Sequence, residues 1–254
     1  PGERRFLVAD GLDDALAGLE RWRYDDGDVA YLAGLGTFPE AFLDHLADLR
    51  FTGDVWAVPE GEVVFAGEPI VRVTAPLVEA QVVETRLLNR IASQTMLASK
   101  AARVALACGD RSFVDFSARR DHGVDAAMAA ARAAWICGAA GTSLVAAGRR
   151  FGIPLSGTMA HSFVMSHDDE RDAFRAYART FPRSAVLLID TYDTVEGARR
   201  AAEVAHELAG EGIAIAGVRL DSGDLADLSV RARAVLDDAG LPEVTVLASG
   251  DLDE

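Results

Sequence analysis

Residues 185–221 read AVLLIDTYDTVEGARRAAEVAHELAGEGIAIAGVRLD, and this stretch indicates the fold class of the whole chain. It contains two short apolar runs, 185–190 and 213–221, of the kind found in parallel strands that are covered on both faces. The residues between them, 194–209, predict a helix. A strand, a helix and a second strand in this order form a βαβ unit, so the stretch predicts two parallel strands.

The same alternation extends in both directions from this stretch. Further strands are predicted in SFVDF (112–116), GTSLV (141–145), IPLSGT (153–158) and VTVLASGD (244–251), and further helices at 124–137, 146–151, 169–180 and 224–238. About six β/α units in succession predict a parallel α/β fold, of which a β/α barrel is one form. A doubly wound open sheet is the alternative, although no GxGxxG follows a strand to support a dinucleotide-binding fold.

The chain ahead of this alternation has a different organisation. Residues 12–50 carry leucines at helical spacing, and residues 53–83 contain short β-rich runs separated by Pro and Gly turns. The second segment predicts a compact antiparallel module, and residues 84–107 predict a long helix. We therefore expect an N-terminal α/β domain with its linking helix at 1–108 and a β/α barrel domain at 109–254.

Composition and charge exclude several classes of protein. Half of the 254 residues are hydrophobic, which excludes a disordered chain. No apolar run approaches the roughly 18 residues of a membrane span, and no secretory signal is visible in residues 1–20, so we expect a cytoplasmic protein. The net charge of -15 would repel a nucleic-acid backbone. An anionic substrate would need a local arginine site, because the field of the whole protein opposes its binding.

Polar residues lie at or just beyond the carboxyl ends of the predicted strands. They are Asp115, Thr142, Thr158, Asp190, Arg219, Asp221 and Asp251. A single acidic or hydroxyl residue after a strand often only caps the next helix. Polar residues after nearly every strand favour a functional site instead, because catalytic groups of a β/α barrel gather at this rim.

The sequence around these polar residues resembles a known family. Residues 115–164, DFSARRDHGVDAAMAAARAAWICGAAGTSLVAAGRRFGIPLSGTMAHSFV, closely resemble nicotinate phosphoribosyltransferases. So do LLIDTYDTVEGARRA (187–201), GVRLDSGDLADLS (217–229) and ASGDLDE (248–254), in the order and spacing of that family. The stretch at 42–69 resembles the family's N-terminal domain, so the resemblance covers essentially the whole chain.

This resemblance implies an enzyme of NAD biosynthesis that joins nicotinate to phosphoribosyl pyrophosphate, giving nicotinate mononucleotide and pyrophosphate. It further implies coupling to ATP hydrolysis through a phosphohistidine, and a requirement for Mg²⁺. The implied fold is that of a type II phosphoribosyltransferase, an N-terminal α/β domain followed by an irregular TIM-like barrel, in a homodimer with shared active sites. The family's usual first segment and last barrel units are missing, so we expect a chain truncated at both ends.

The resemblance also implies roles for individual residues. His161 matches the phosphorylated histidine, Asp221 and Arg219 complete the catalytic set, and Asp221 with Asp190 would bind Mg²⁺. Phe116 would stack on the pyridine ring, and Arg119 would pair with its carboxylate. The other residues implied in substrate binding are Arg120, His122, Gly141, Thr142, Ser143, Thr158, Ser162, Asp190, Ser222, Gly223, Gly250 and Asp251.

Two alternative functions remain open from the sequence. The first is a related phosphoribosyltransferase that uses quinolinate or nicotinamide in place of nicotinate. An enzyme for quinolinate needs extra cationic residues to bind the second carboxylate. An enzyme for nicotinamide should lack a positive partner for a carboxylate. The second is a catalytically inactive fragment of the family that serves as a ligand-binding or dimerisation module.

Overall fold

A computed structural model describes residues 5–250 and residue 252 of this α/β protein. The described residues divide into two compact units, one on either side of the bond between Ser156 and Gly157. The domain boundary at residue 108 stays a prediction. No helix among the described residues is both long enough and apolar enough to cross a membrane.

The first unit begins with short helices and strands. In chain order these are β1 (Leu7–Val8), α1 (Leu12–Glu20), α2 (Asp26–Gly34), α3 (Glu40–Asp48), β2 (Asp54–Ala57), β3 (Val63–Val64) and β4 (Val71–Thr74). β2 pairs antiparallel with β4, in agreement with the predicted module, and β3 pairs antiparallel with β1. Strand β1 was not predicted, because two residues are too few to show a period-2 pattern.

A helix of 32 residues, α4 (Leu77–Cys108), follows these strands. It begins at Leu77, seven residues before the predicted start. The preceding residue is Pro76, and proline is compatible with the boundary of a helix but not with its interior. Its buried face contains Val83, Leu87 and Ala98, whereas Leu88 is 61% exposed. The helix ends at Cys108, and the next residue, Gly109, has a φ of 57°, which favours glycine.

The rest of the first unit contains α5 (Val124–Ile136) and α6 (Val145–Phe151). The three strands predicted at 112–116, 141–145 and 153–158 are wrong as strands. Only two parallel β-bridges are formed there, Asp115 with Thr142 and Thr142 with Leu155. The reason lies partly in Pro154, which lacks the N–H that a longer ladder would need.

The second unit contains the predicted alternation of helices and strands. Its elements are α7 (His161–Met165), α8 (Glu170–Thr180), β5 (Val186–Leu188), α9 (Thr194–Ala209), β6 (Gly217–Leu220), α10 (Leu225–Asp238) and β7 (Thr245–Ala248). The strands form a parallel sheet in the order β5-β6-β7. No closed barrel is formed by the strands that the structure describes, which lie in one three-stranded and two two-stranded sheets.

The core of the second unit lies between this sheet and its helices. Leu187, Val218 and Leu208 are fully buried there. Helix α9 approaches β5 so closely at Gly197 that an added Cβ would collide with the backbone of Ile189. Asp193 and Asp224 cap the starts of α9 and α10 through their side chains, which fixes how each helix leaves the sheet.

An ion cluster holds together the start of the first unit. Arg132, on α5, donates to Asp10 Oδ1 at 2.8 Å, to Asp13 Oδ2 at 2.9 Å and to Glu60 Oε2. Burial raises the pKa of Asp10 to about 6, and Asp10 Oδ2 is buried without a hydrogen-bond partner. Burial alone would raise the pKa of Glu60, but the hydrogen bonds from Arg132 and from the backbone N–H groups of Asp13 and Gly11, together with the charge of Arg132, outweigh burial and lower that pKa. The cluster joins the residues after β1, the turn before β3 and helix α5.

The Asp10→Asn variant is expected to change how stability depends on pH. The folded pKa of Asp10 lies above its ordinary value, so its contribution to stability is present at low pH and is lost as pH rises through about 6. The free energy of unfolding of the full-length protein should therefore fall by about 1–2 kcal/mol between about pH 5 and pH 7 on account of this group. Asp10→Asn should remove that decline, as measured by denaturant unfolding at several pH values.

Asp13→Asn is the matched control, because Asp13 bonds to the same arginine but its side chain is 73% exposed. It should leave the pH profile unchanged. If the free energy of unfolding of the Asp10→Asn variant fell by the same amount between about pH 5 and pH 7, Asp10 would not titrate in this range. Glu60, with its lowered pKa, acts in the opposite sense, since its contribution is lost only as pH falls below its ordinary range.

Candidate active site

Two aspartates follow neighbouring parallel strands of the second unit. Asp190 lies two residues after β5, and Asp221 comes directly after β6, which pairs with β5. Asp190 Oδ2 accepts hydrogen bonds from the backbone N–H of Asp221, at 2.9 Å, and from Ser222 Oγ, at 2.5 Å. The two carboxylates are therefore held together at the carboxyl edge of the sheet, where the sequence predicted a site.

His161 faces both carboxylates. It is the first residue of α7, and its Nε2 lies 3.7 Å from Asp221 Oδ2 and 4.0 Å from Asp190 Oδ1. Its other ring nitrogen, Nδ1, lies 3.2 Å from Thr191 Oγ1. The structure thus brings together a half-exposed imidazole and two acids that are 29 and 60 residues away in sequence.

Two hydroxyl residues of this site were not found from the sequence. Ser249 donates from Oγ to Asp221 Oδ1 at 2.6 Å, and Thr191 contacts the imidazole as described. Ser249 comes directly after β7 and Thr191 directly after Asp190, so the position of polar residues after strands was the signal that could have found them. Ser249 thus positions the carboxylate of Asp221, and Thr191 positions the imidazole of His161.

Arg219 lies on β6 between two fully buried residues, Val218 and Leu220. Because side chains alternate along a strand, the side chain of Arg219 leaves the sheet on the face opposite to theirs. Its Nε is buried and has no hydrogen-bond partner in the described part of the chain. A guanidinium with a buried, unpartnered N–H is a suitable partner for an anion.

The remaining predicted residues of the second unit lie in loops or at helix starts. Gly223 and Gly250 have φ values of 82° and 95°, which favour glycine, and Gly250 packs so closely on Asp221 that no side chain would fit. Thr158 donates from Oγ1 to Met159 O at 3.2 Å, and Ser162 is exposed on α7. Asp251 lies outside the described residues.

In the first unit, the predicted pyridine-binding segment follows Asp115. Phe116 is half-buried, and Arg119, Arg120 and His122 are exposed. Arg119 makes no hydrogen bond or ion pair with any residue that the structure describes, so its guanidinium is available to a ligand. Asp115 itself accepts hydrogen bonds from Ser117 Oγ at 2.6 Å and from Thr142 Oγ1 at 2.8 Å, which holds the start of the segment.

The predicted residues Gly141, Thr142 and Ser143 lie next to this segment. Thr142 is completely buried, and its hydroxyl both donates to Asp115 and accepts from the Leu144 N–H. The side chain of Thr142 therefore joins Asp115, its partner in a β-bridge, to the backbone that follows Thr142. Gly141 is also buried, whereas Ser143 is exposed. Binding of a base by these three residues stays a prediction.

Asp190 and Asp221 are suited to binding a magnesium ion that also takes ligands from water and substrate, rather than a metal ion bound only by protein side chains. No group of three or more His, Cys, Asp or Glu side chains within residues 5–250 is arranged to hold a metal. Mg²⁺ in phosphate-transfer sites needs only one or two carboxylates, with water and substrate phosphates completing its shell. Asp190 Oδ1 is buried and has no hydrogen-bond partner, which leaves one carboxylate oxygen for this purpose beside Asp221 Oδ2.

The chain is similar in sequence to known proteins over its whole length. Residues 1–92 match the model of the nicotinate phosphoribosyltransferase (NAPRTase) N-terminal domain, and residues 111–246 match that of the NAPRTase family. The protein named nicotinate phosphoribosyltransferase pncB2 of Mycobacterium tuberculosis is 53% identical over 254 residues, which is 100% of this chain and 54% of the relative. The nicotinate phosphoribosyltransferase of Bacillus subtilis is 49% identical over 100% of this chain and 52% of the relative.

A solved structure is similar over nearly the same range. The crystal structure of human nicotinic acid phosphoribosyltransferase matches with a TM-score of 0.91 and 31% identity, over 98% of this chain and 62% of the human chain. The chain spans about half the length of the two bacterial relatives.

Proposed function

Because the chain belongs to the nicotinate phosphoribosyltransferase family, we propose that the full-length protein carrying it transfers phosphoribosyl from phosphoribosyl pyrophosphate to nicotinate. The products are nicotinate mononucleotide and pyrophosphate. The observation that supports this most strongly is the position of His161 beside Asp190 and Asp221, at the carboxyl ends of two adjacent parallel strands. An imidazole and two carboxylates at this edge suit the transfer of phosphoryl and ribosyl groups.

The roles of the residues follow from the charges of the reactants. Ribosyl transfer develops positive charge at the anomeric carbon while pyrophosphate leaves as a polyanion. Asp221 would stabilise the ribose side of that transition state, and Arg219 would bind a phosphate through its unpartnered donor. Asp190 and Asp221 would hold Mg²⁺, which when bound would neutralise phosphate charge.

His161 would couple ATP to the transfer. The neighbouring carboxylates favour a proton on Nε2, which leaves the lone pair on Nδ1, next to Thr191 Oγ1. Attack on the γ-phosphorus forms an N–P bond and breaks the bond to the bridging oxygen, with ADP as the leaving group. Water later takes the phosphoryl group and restores the imidazole.

The proposal includes the architecture around the site. The parallel sheet β5-β6-β7 would form part of a TIM-like β/α barrel, as in type II phosphoribosyltransferases, with the N-terminal domain ending at residue 108. Two copies would share their active sites in a homodimer. Light scattering of the full-length protein tests the dimer, and a monomeric mass at the concentration of the activity assay would contradict it.

The activity is tested by offering the full-length protein nicotinate, nicotinamide or quinolinate with phosphoribosyl pyrophosphate and Mg²⁺, with and without ATP. Release of pyrophosphate is measured. We expect release with nicotinate and stimulation by ATP. A preference for quinolinate or nicotinamide would identify a related enzyme of the same fold, and no release with any base would indicate a catalytically inactive member.

Arg119→Ala is expected to weaken nicotinate binding selectively. Charge-assisted hydrogen bonds are worth about 1.5–3 kcal/mol, so KM for nicotinate should rise about 10- to 100-fold while KM for ATP stays nearly constant. Arg111→Ala, which removes another exposed arginine upstream of the segment, is the matched control. Equal increases in both KM values would remove the role of Arg119 in recognising the carboxylate.

A further inference from the structure

A cavity of about 190 Å³ lies among α1, α4, α5 and α6 of the first unit. Its lining contains four arginines, Arg21, Arg86, Arg90 and Arg150. None of the residues predicted to bind nicotinate, ribose, phosphate or Mg²⁺ lines it. A concentration of arginines is unexpected in a chain whose net charge is -15.

The spacing of residues along three helices explains how the arginines converge. Asp14, Gly18 and Arg21 are four and three residues apart, so they lie along one side of α1. Arg86 and Arg90 are four residues apart and lie on one face of α4. Arg150 is in the last turn of α6, with its guanidinium 4.9 Å from the centre of the Phe151 ring.

Three of these arginines have side chains without a partner among the described residues. Arg150 donates to Asp14 Oδ1 at 3.0 Å. The side chains of Arg21, Arg86 and Arg90 make no hydrogen bond or ion pair with the part of the chain that the structure describes. The lining contains only two acids, Asp14 and Asp125, so four positive and two negative charges leave a formal net charge of +2. Like charges at i and i+4, as in Arg86 and Arg90, repel one another, and a bound anion would relieve that repulsion.

The helix beneath Arg86 leaves space for its guanidinium. Gly18 is buried, and a Cβ added there would lie 3.1 Å from Arg86 Nε and 3.2 Å from Arg86 Nη2. The guanidinium thus lies directly against α1, in space that a larger side chain would occupy. This contact holds one of the unpartnered arginines at the cavity.

We propose that this cavity binds a small multivalent phosphate anion through Arg21, Arg86 and Arg90. Guanidinium groups match the geometry of phosphate oxygens and bind them with paired donors. The volume is below the roughly 300 Å³ at which pockets for drug-sized ligands begin, so the cavity suits orthophosphate or pyrophosphate and is too small for a whole nucleotide. A dianion balances the net charge of the lining.

The first experiment measures the chemical accessibility of each arginine separately. The full-length protein is labelled with phenylglyoxal, and the labelling rate of each arginine is measured by peptide mass spectrometry in orthophosphate, pyrophosphate or acetate at equal ionic strength. Orthophosphate or pyrophosphate should slow the labelling of Arg21, Arg86 and Arg90 several-fold relative to acetate, and the more protective of the two identifies the preferred anion. Arg183, which is exposed in the second unit, should be labelled at the same rate throughout. Equal rates at the three cavity arginines in all salts would overturn the proposal.

The second experiment removes the positive charges of Arg86 and Arg90. The Arg86→Gln and Arg90→Gln double variant should lose roughly tenfold in anion affinity for each charge-assisted hydrogen bond removed, as measured by calorimetry. Arg183→Gln is the matched control and should bind as the parent protein does. Because glutamine is a good helix former, α4 should persist.

Gly18→Leu provides a test that keeps every charge. Even a Cβ at this position would lie 3.1 Å from Arg86 Nε, so a leucine side chain would displace the guanidinium of Arg86, and the protection of Arg86 should fall while Arg90 remains protected. Unchanged anion affinity in the double variant, or unchanged protection of Arg86 in Gly18→Leu, would contradict binding at this cavity. Labelling distinguishes this site from anions held at Arg119 or Arg219, because each arginine is on a different peptide.

Discussion

Replacing His161 with alanine is expected to abolish the covalent phosphorylation of the full-length protein and its stimulation by ATP. The imidazole faces Asp190 and Asp221 and is the proposed nucleophile, and alanine offers no lone pair in its place. Incubation with γ-labelled ATP should label the peptide that contains His161 in the parent protein. The label should be lost in acid and should survive in base, which distinguishes phosphohistidine from phosphoserine. Slow transfer without ATP should persist in the variant.

His167→Ala is the matched control for this experiment. His167 lies in the same segment, but its Nδ1 is held by Phe163 O at 2.9 Å, away from the two acids. This variant should keep both the label and the ATP stimulation. A label that persists in His161→Ala, or one that resists acid, would place the coupling residue elsewhere.

Asp221→Asn is expected to lose most of the turnover while the protein stays folded. The substitution keeps the shape of the side chain and an oxygen that can accept from Ser249 Oγ, but it removes the negative charge beside His161 Nε2. Electrostatic groups in active sites are typically worth about 10²–10³ in kcat, so a loss of that order is expected. Steady-state kinetics measure it, and thermal unfolding checks the fold.

Ser249→Ala separates charge from positioning in the same site. It removes the hydrogen bond to Asp221 Oδ1 and leaves the carboxylate charged, so its loss of turnover should be much smaller than that of Asp221→Asn. Near-normal turnover in Asp221→Asn would show that the carboxylate contributes neither to ribose nor to Mg²⁺ binding.

The local alternation of the second unit could be predicted from the sequence because its signals are local. Strands β5, β6 and β7 consist mainly of apolar residues, and acidic caps directly precede α9 and α10, so each element is specified by residues within it or next to it. The same approach was wrong at 112–116, 141–145 and 153–158. Single bridges form there, since pairing depends on which backbone groups a partner segment offers.

The candidate site, like the fold, could be predicted from the sequence only in part. The type and order of His161, Asp190 and Asp221 are visible in the sequence, and the position of each acid after a strand predicts a shared edge. The contacts of Ser249 and Thr191 with these groups are not visible, because they join residues that are 28 and 30 positions apart. The position after a strand marks these residues as candidates, but sequence spacing does not give the distances between their side chains.

The sequence by itself determined the α/β class, the family and the residue types of the site, because these depend on short-range patterns and on motifs of adjacent residues. Only the tertiary structure decided that Arg21, Arg86, Arg90 and Arg150 line one cavity, and that Asp10 and Glu60 share Arg132. The physical reason is that packing joins side chains from elements far apart in the chain. Charge pairing depends on those distances, whereas local propensity and periodicity do not.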